Sequence, residues 1–242
     1  MNWTTFIIGG IIILSISPII AIFRTFYEIL IGDKIKLIRI GKRYEKHVCN
    51  KLKKVFKTPA LRNLLFGIKD GTTEMDAAFV TKKGIFCIEM KHRSSNYICG
   101  NDTEKLWKCG SDMLRNPLFQ NMRHIKAMSN VIKNPEFYNM VCVNVPFDYF
   151  DSNGCMGKAP LFFIPNKTRN IIAQIGMGYA SGYITKECIK KLKAEYKKLP
   201  DVYSKKEVMD IKSILETHIG TRKELRKHKN FVIRKEKYLH NL

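Results

Sequence analysis

Apolar residues fall along this chain in several distinct rhythms. From Trp3 to Phe23 no ionisable side chain interrupts a run dominated by Ile, Leu, Phe, Ala and Gly. At about 1.5 Å of rise per residue, a helix of this length reaches across a hydrocarbon core of about 30 Å. The run therefore predicts a transmembrane span over 3–23, in which Pro18 is a tolerated kink. A cleaved signal peptide would want a basic lead, a shorter apolar core and a small-x-small exit. Nothing basic precedes the run, and Ile20-Ala21-Ile22-Phe23-Arg24 is a poor exit. Arg24, Lys34, Lys36, Arg39, Lys42 and Arg43 follow it, which places the C-terminal side in the cytoplasm. The expectation is a single-pass protein of the cell membrane.

Residues 24–38 read as a juxtamembrane linker with some helical character. Ile40, Tyr44, Val48, Leu52, Val55 and Phe56 then recur at helical spacing, and Pro59 ends the pattern. Leu64 to Ile68 is a short apolar run closed by the turn Lys69-Asp70-Gly71. Thr72–Thr81 and Ile85–His92 predict two strands joined through Lys82-Lys83-Gly84, a β-hairpin. A weaker hairpin flanks Gly100-Asn101-Asp102. Asn116-Pro117 opens a helix continued by Leu118, Met122, Ile125, Met128 and Ile132. Met140–Val145 and Leu161–Ile164 are buried-type strands, with Phe147–Lys158 between them expected as a loop. Thr185–Leu199 and Ser204–Ile219 predict two charged amphipathic helices, and Thr221–Leu242 is basic and weakly patterned. The order predicts a mixed α/β domain with a central sheet. The expected organisation is an anchor at 3–23, a linker at 24–38, a domain at 39–165 and a basic helical region at 166–242.

Charge narrows the class of partner. The chain carries 43 Lys and Arg against 21 Asp and Glu, a formal net charge of +22. Such a surplus favours a nucleic-acid backbone or an acidic membrane face, although a Lys-, Ile- and Asn-rich composition alone would also produce it. Residues 185–242 hold 17 basic against 8 acidic side chains. That surface would suit a phosphate backbone or anionic lipid equally. The seven cysteines are odd in number and form no Cys-x-x-Cys pair, so neither a disulfide framework nor a zinc knuckle is indicated.

The candidate chemistry lies in the main hairpin. Glu89 and Lys91 are two apart on one strand and so share a face. With a two-residue loop, Thr81 pairs with Gly84, and counting back sets Asp76 opposite Glu89, with Cβ atoms about 5 Å apart. A three-residue loop would shift this by one unless a bulge restores it. Two adjacent carboxylates are costly without a cation between them, and one or two carboxylates with retained waters suit Mg²⁺. Taken singly, each residue has a plainer role. Glu45 on a Lys-rich helix would be a surface ion pair, Asp76 a strand-end polar group, and Glu89–Lys91 a salt bridge on a solvated sheet. Gln120 would help satisfy a first helical turn. Asp70 and Glu74 read as turn or edge residues, Trp107 as packing, and His92 stays unassigned. His124 shares a helix face with Gln120.

Together, Glu45, Asp76, Glu89-x-Lys91, Trp107 and Asn116-Pro117-x-x-Gln120-x-x-x-His124-Ile125 resemble the nuclease-related domain (NERD) family. That family is similar to the PD-(D/E)XK nucleases, and the likeness runs from about Gly41 to about Ile132. One departure is Ala77, where many relatives carry histidine after the aspartate. The resemblance implies an α/β, restriction-endonuclease-like core, with Asp76 and Glu89 as ligands of Mg²⁺ or Mn²⁺ and Lys91 serving the nucleophile. Glu45 and Gln120 would complete the site. It implies hydrolysis of nucleic-acid phosphodiesters, DNA above all; the anchor and the basic residues after it would put that activity on the cytoplasmic side of the membrane. The alternative is a tethered module that binds nucleic acid or protein without cleaving it.

Overall fold

A computed structural model describes residues 3–133, 135–151, 154–158, 161–163, 169–177 and 182–240, with side chains for most of those beyond 34. The chain divides into two compact units, Met1–Arg43 and Tyr44–Leu242. A single helix, α1, runs over Trp3–Phe56. The segment 24–38, expected as a linker, is therefore regular helix. Most side chains of the expected span 3–23 lie outside the described residues. Among the described residues, no helix is long and apolar enough to cross a membrane.

In the second unit a six-stranded mixed sheet has the order β1-β2-β3-β7-β11-β10. Its strands are β1 (Leu61–Ile68), β2 (Gly71–Thr81), β3 (Gly84–Lys91), β7 (Phe137–Val143), β10 (Leu161–Phe163) and β11 (Asn170–Gln174). β1 with β2, β2 with β3 and β10 with β11 pair antiparallel, whereas β3, β7 and β11 are mutually parallel. The central strands are buried on both faces, which is why they read as unbroken apolar runs. The boundary expected at 165 falls between β10 and β11 of this one sheet.

Helices cover both faces. On one side, Tyr44, Val48, Leu52, Val55 and Phe56 of α1 pack on Phe79, Phe86, Ile88 and Met140. Cys188 and Leu192 of α3 (Gly182–Lys198) join them. On the other side, Ile125 and Met128 of α2 (Pro117–Met128) and Ile211 and Leu215 of α4 (Lys205–Glu216) cover Ala78, Val80, Ile85 and Cys87. Each fully buried Leu, Ile or Phe contributes about 1.5–3 kcal/mol relative to exposure. The result is a central sheet between two helical layers, the mixed α/β class expected.

A second sheet of order β6-β5-β4-β8-β9 holds β4 (Ile98–Gly100), β5 (Leu106–Cys109), β6 (Asp112–Arg115), β8 (Phe147–Asp151) and β9 (Gly154–Lys158). Within the stretch 147–158, expected as a loop, residues 147–151 and 154–158 are thus two paired strands. Trp107 is fully buried against Phe147. A Cβ at position 100 would collide with the Trp107 ring, so glycine is required there. The basic tail is also ordered: α5 covers Arg222–His240.

Candidate active site

The hairpin of β2 and β3 turns at Lys82-Lys83, and Thr81 pairs with Gly84. Gly84 has φ +130°, and a Cβ there would stand 2.8 Å from the Glu136 carbonyl oxygen. The ladder continues to Ala77 opposite Ile88. Continued one step further, this register would set Asp76 opposite Glu89. At Asp76 regular pairing stops on both sides, because the β1 ladder also passes from Ala77 to Met75 across Asn63, which has φ +54°. Met75 and Ala78 pack in the same cluster, so strand alternation slips at this point. The Asp76 carboxylate (Oδ2) accepts the backbone N–H of Met90 at 2.8 Å, which fixes it over the end of β3.

Glu89 and Lys91 project toward α2. The Glu89 side chain is 2% exposed, and its Oε1 lies 2.6 Å from Lys91 Nζ. Lys91 Nζ also donates to Gln120 Oε1 at 2.8 Å. The helix that presents Gln120 starts where Asn116 caps it: the Asn116 side chain accepts from Leu118 N at 2.9 Å. The same side chain donates to the carbonyls of Asn101 and Glu104, tying the helix start to the second sheet. Asn121, fully buried, donates to the Cys87 carbonyl and to Asn139, which pins α2 on β3 and β7.

Two further α2 and β2 side chains complete the cluster. His124 Nε2 stands 3.5 Å from Glu89 Oε2. Its Nδ1 shares a 2.6 Å hydrogen bond with Thr73 Oγ1. His124 follows Gln120 by one helical turn, so the shared face visible in the sequence is what brings it here. Thr73 carries no comparable mark. Glu74, read as an edge residue, lies near enough for its carboxyl to be raised, first by burial and then by Glu45 and Glu89, against the pull of Lys229. Glu45 itself binds Arg62 Nη2 at 2.9 Å, with both side chains about one-third exposed. It reaches the acids only through space, as a weak upward influence on Asp76. His92 packs edge-on to Tyr44 and stands apart from this cluster.

The two central acids diverge in their affinity for protons. Burial pushes Glu89 up, but Lys91 and His124 outweigh it and hold the carboxyl below its ordinary range. Asp76 goes the other way: burial, then the Glu89 charge, raise it well above the usual carboxylate range despite Lys91 and the Met90 N–H. The pair thus carries a repulsion that the protein's own cations only partly offset. Glu89 Oε2 is, in addition, buried and makes no close hydrogen bond, facing only His124 Nε2 at 3.5 Å among the pairs within reach. An orphaned carboxylate oxygen beside a second acid fits a hard divalent cation that retains waters. Among the described residues no group of three or more His, Cys, Asp or Glu side chains is gathered so as to hold a metal ion. Of the five residues expected from sequence, Glu89, Lys91 and Gln120 are in direct contact and Asp76 adjoins them. Glu45 lies at the periphery.

The model of one family, described as nuclease-related domain (NERD), matches residues 40–144, a segment that contains all of these side chains. No curated protein and no solved structure matches the chain.

Proposed function

We propose, from the match of residues 40–144 to the nuclease-related domain, that the protein is a metal-dependent nuclease hydrolysing nucleic-acid phosphodiesters, DNA in particular. The observation that carries the reading is the Glu89–Lys91–Gln120 chain set beside Asp76. Asp76 and Glu89 would hold Mg²⁺ or Mn²⁺, which when bound lowers the pKa of a coordinated water and offsets phosphate charge. Lys91 is placed between two acceptors, Glu89 Oε1 and Gln120 Oε1. An ammonium has three donors, so one N–H remains to meet a phosphate oxygen or orient the attacking water. Gln120 fixes the direction of that donor. The Thr73–His124 hydrogen bond holds the imidazole against Glu89 and so keeps this carboxylate in its ionised form.

The test is nicking of supercoiled plasmid by the full-length chain in detergent, with Mg²⁺ or Mn²⁺. Glu89→Gln and Lys91→Met should each abolish cleavage while the circular dichroism spectrum of the folded protein persists. Cleavage surviving both substitutions would remove the assignment. DNA binding without cleavage by any divalent ion would instead favour the non-catalytic module.

We also propose that residues 3–23 anchor the protein in the cell membrane with its nuclease-related domain in the cytoplasm. Support comes from the uninterrupted apolar run and the basic residues that follow it. Release of the full-length chain from membranes by alkaline carbonate would argue against it.

A further inference from the structure

Between α1 and α3 lies a groove of about 640 Å³. Its walls carry Lys51 and Lys54 on α1 and Lys186, Lys190, Lys193 and Lys197 on α3, and no acidic residue lines it. The α3 lysines recur at intervals of four, three and four, one stripe along a helix whose adjacent face buries Thr185, Cys188 and Leu192. The acids of α3 serve other lysines: Glu187 pairs with Lys191 and Glu195 with Lys198. Among the described residues, none of the six groove lysines has a salt-bridge partner. Like charges facing one another across a fixed cleft repel, and the repulsion is relieved when an anion enters. The α3 wall is tied to the end of β11, because the Gly176 N–H donates to Thr185 Oγ1 at 2.9 Å.

The sheet register locates this groove relative to the candidate active site. Lys91 pairs with Val143, and Val143 with Gln174, so the ends of β3, β7 and β11 form one row. Two strand spacings separate Lys91 from Gln174, about 10 Å. Gly176, on the groove wall, lies two residues past Gln174. The Lys186 end of the groove, beside Gly176, therefore lies at the edge of the sheet that also holds the acid cluster, beyond the carboxyl ends of its parallel strands, where ligands of α/β sheets collect. The groove is on the α1–α3 face and the acids on the α2 face. The α3 stripe, eleven residues from end to end, is about 16 Å long. A linear polyanion that follows the stripe to its Lys186 end and passes over this edge reaches the row of Lys91, whereas a single phosphate cannot span both.

We propose that the α1–α3 groove binds the phosphodiester backbone of the nucleic acid whose bond is presented to Glu89 and Lys91. The direction of that strand rests on the nuclease reading; the binding does not. A recessed double wall of lysines suits a strand, while a flat lipid surface would reach only its rims.

The experiment measures binding of the full-length chain, in detergent with EDTA, to a fluorescein-labelled 20-base-pair duplex across a series of NaCl concentrations. Replacing Lys186, Lys190, Lys193 and Lys197 by Gln should weaken binding at least tenfold at 0.1 M NaCl. The log–log salt slope should become shallower by about 3–4, close to 0.9 for each phosphate no longer neutralised. The opposite wall provides a second variant: Lys51→Gln with Lys54→Gln should reduce the slope by about 2. A control that removes equal charge elsewhere, Lys191→Gln, Lys198→Gln, Lys205→Gln and Lys206→Gln, should leave the slope within about 1 of wild type. An unchanged slope in the groove variants, or an equal reduction in the control, overturns the proposal. So does loss of binding to phosphatidylserine-containing vesicles, relative to phosphatidylcholine alone, with the DNA slope intact. A shallower slope in a protein that never cuts DNA sustains the groove and defeats the nuclease assignment.

Discussion

Lysine occupies two opposite electrostatic settings in this protein. At the acid cluster, Lys91 is 16% exposed and lies within 2.6 Å of a carboxylate that is itself almost wholly enclosed. Along the α1–α3 groove, six lysines share a cleft with no acid among them. In the first setting the cation is part of the fold, because without it Glu89 would be a buried charge left without its closest counter-ion. In the second the cations are a cost to the fold, carried for what they attract. The contrast separates residues that hold a site in shape from residues that draw a ligand to it.

The largest test of this contrast is Lys91→Met. Removing one partner of a buried ion pair costs about 3–5 kcal/mol, so urea denaturation should show a loss of that order, along with at least about a hundredfold loss of cleavage. Adding Glu89→Gln should restore most of the stability and none of the activity. Recovery of cleavage in the double variant would mean that neither group takes part.

Asp76 sharpens the comparison from the acid side. Because its folded-state carboxyl is raised above the unfolded value, its ionisation weakens the fold as pH climbs from near 4 through the raised value, and this cost stays present above that. Glu89 is depressed, so its contribution is present above its unfolded value and is lost as pH falls through the folded one. Asp76→Asn should therefore raise the melting temperature at neutral pH while abolishing cleavage. Mg²⁺ at a hundred times its dissociation constant should stabilise wild type by about 2.7 kcal/mol, and the Asn variant by far less. Wild-type cleavage should also fade on the acid side at a pH higher than an ordinary aspartate would give.

Asn116→Ala removes the cap of α2, the helix that delivers Gln120 and His124. A loss of about 1 kcal/mol is expected from the cap alone, read by chemical denaturation. The smallest effect belongs to the groove. Lys190→Gln should raise the melting temperature slightly at low salt, and the gain should vanish above about 0.5 M NaCl as screening sets in. A fall instead would show that this lysine is compensated within the fold.

The hairpin is legible in the sequence because its information is local. A two-residue turn followed by Gly84 fixes the pairing, and the pairing fixes which side chains face each other. Gln120 and His124 fall on one helix face by their spacing of four. The family likeness links these separate pieces, which periodicity cannot do. What escapes depends on distant partners. β11 is five residues long and entirely buried, too short to distinguish from any other apolar run until β7 lies beside it. α5 lacks a strong apolar stripe and is ordered through single contacts, such as His228 Nδ1 with Thr72 Oγ1 and Phe231 against Gly71. Glu45 enters the candidate set through the family likeness, and its partner Arg62 on β1 is a distant contact that the sequence does not display.

β11 has a consequence for how much of the polypeptide must be kept together. It supplies the parallel neighbour of β7 from residues 170–174, beyond the stretch that defines the family at 40–144. Excising the smaller piece would strip β7 along one flank, exposing a row of unsatisfied amides and carbonyls on an apolar strand. Such a flank recruits other chains. The minimal soluble unit therefore extends well past the homologous segment, and a fragment cut at 144 is expected to aggregate before its chemistry can be assayed.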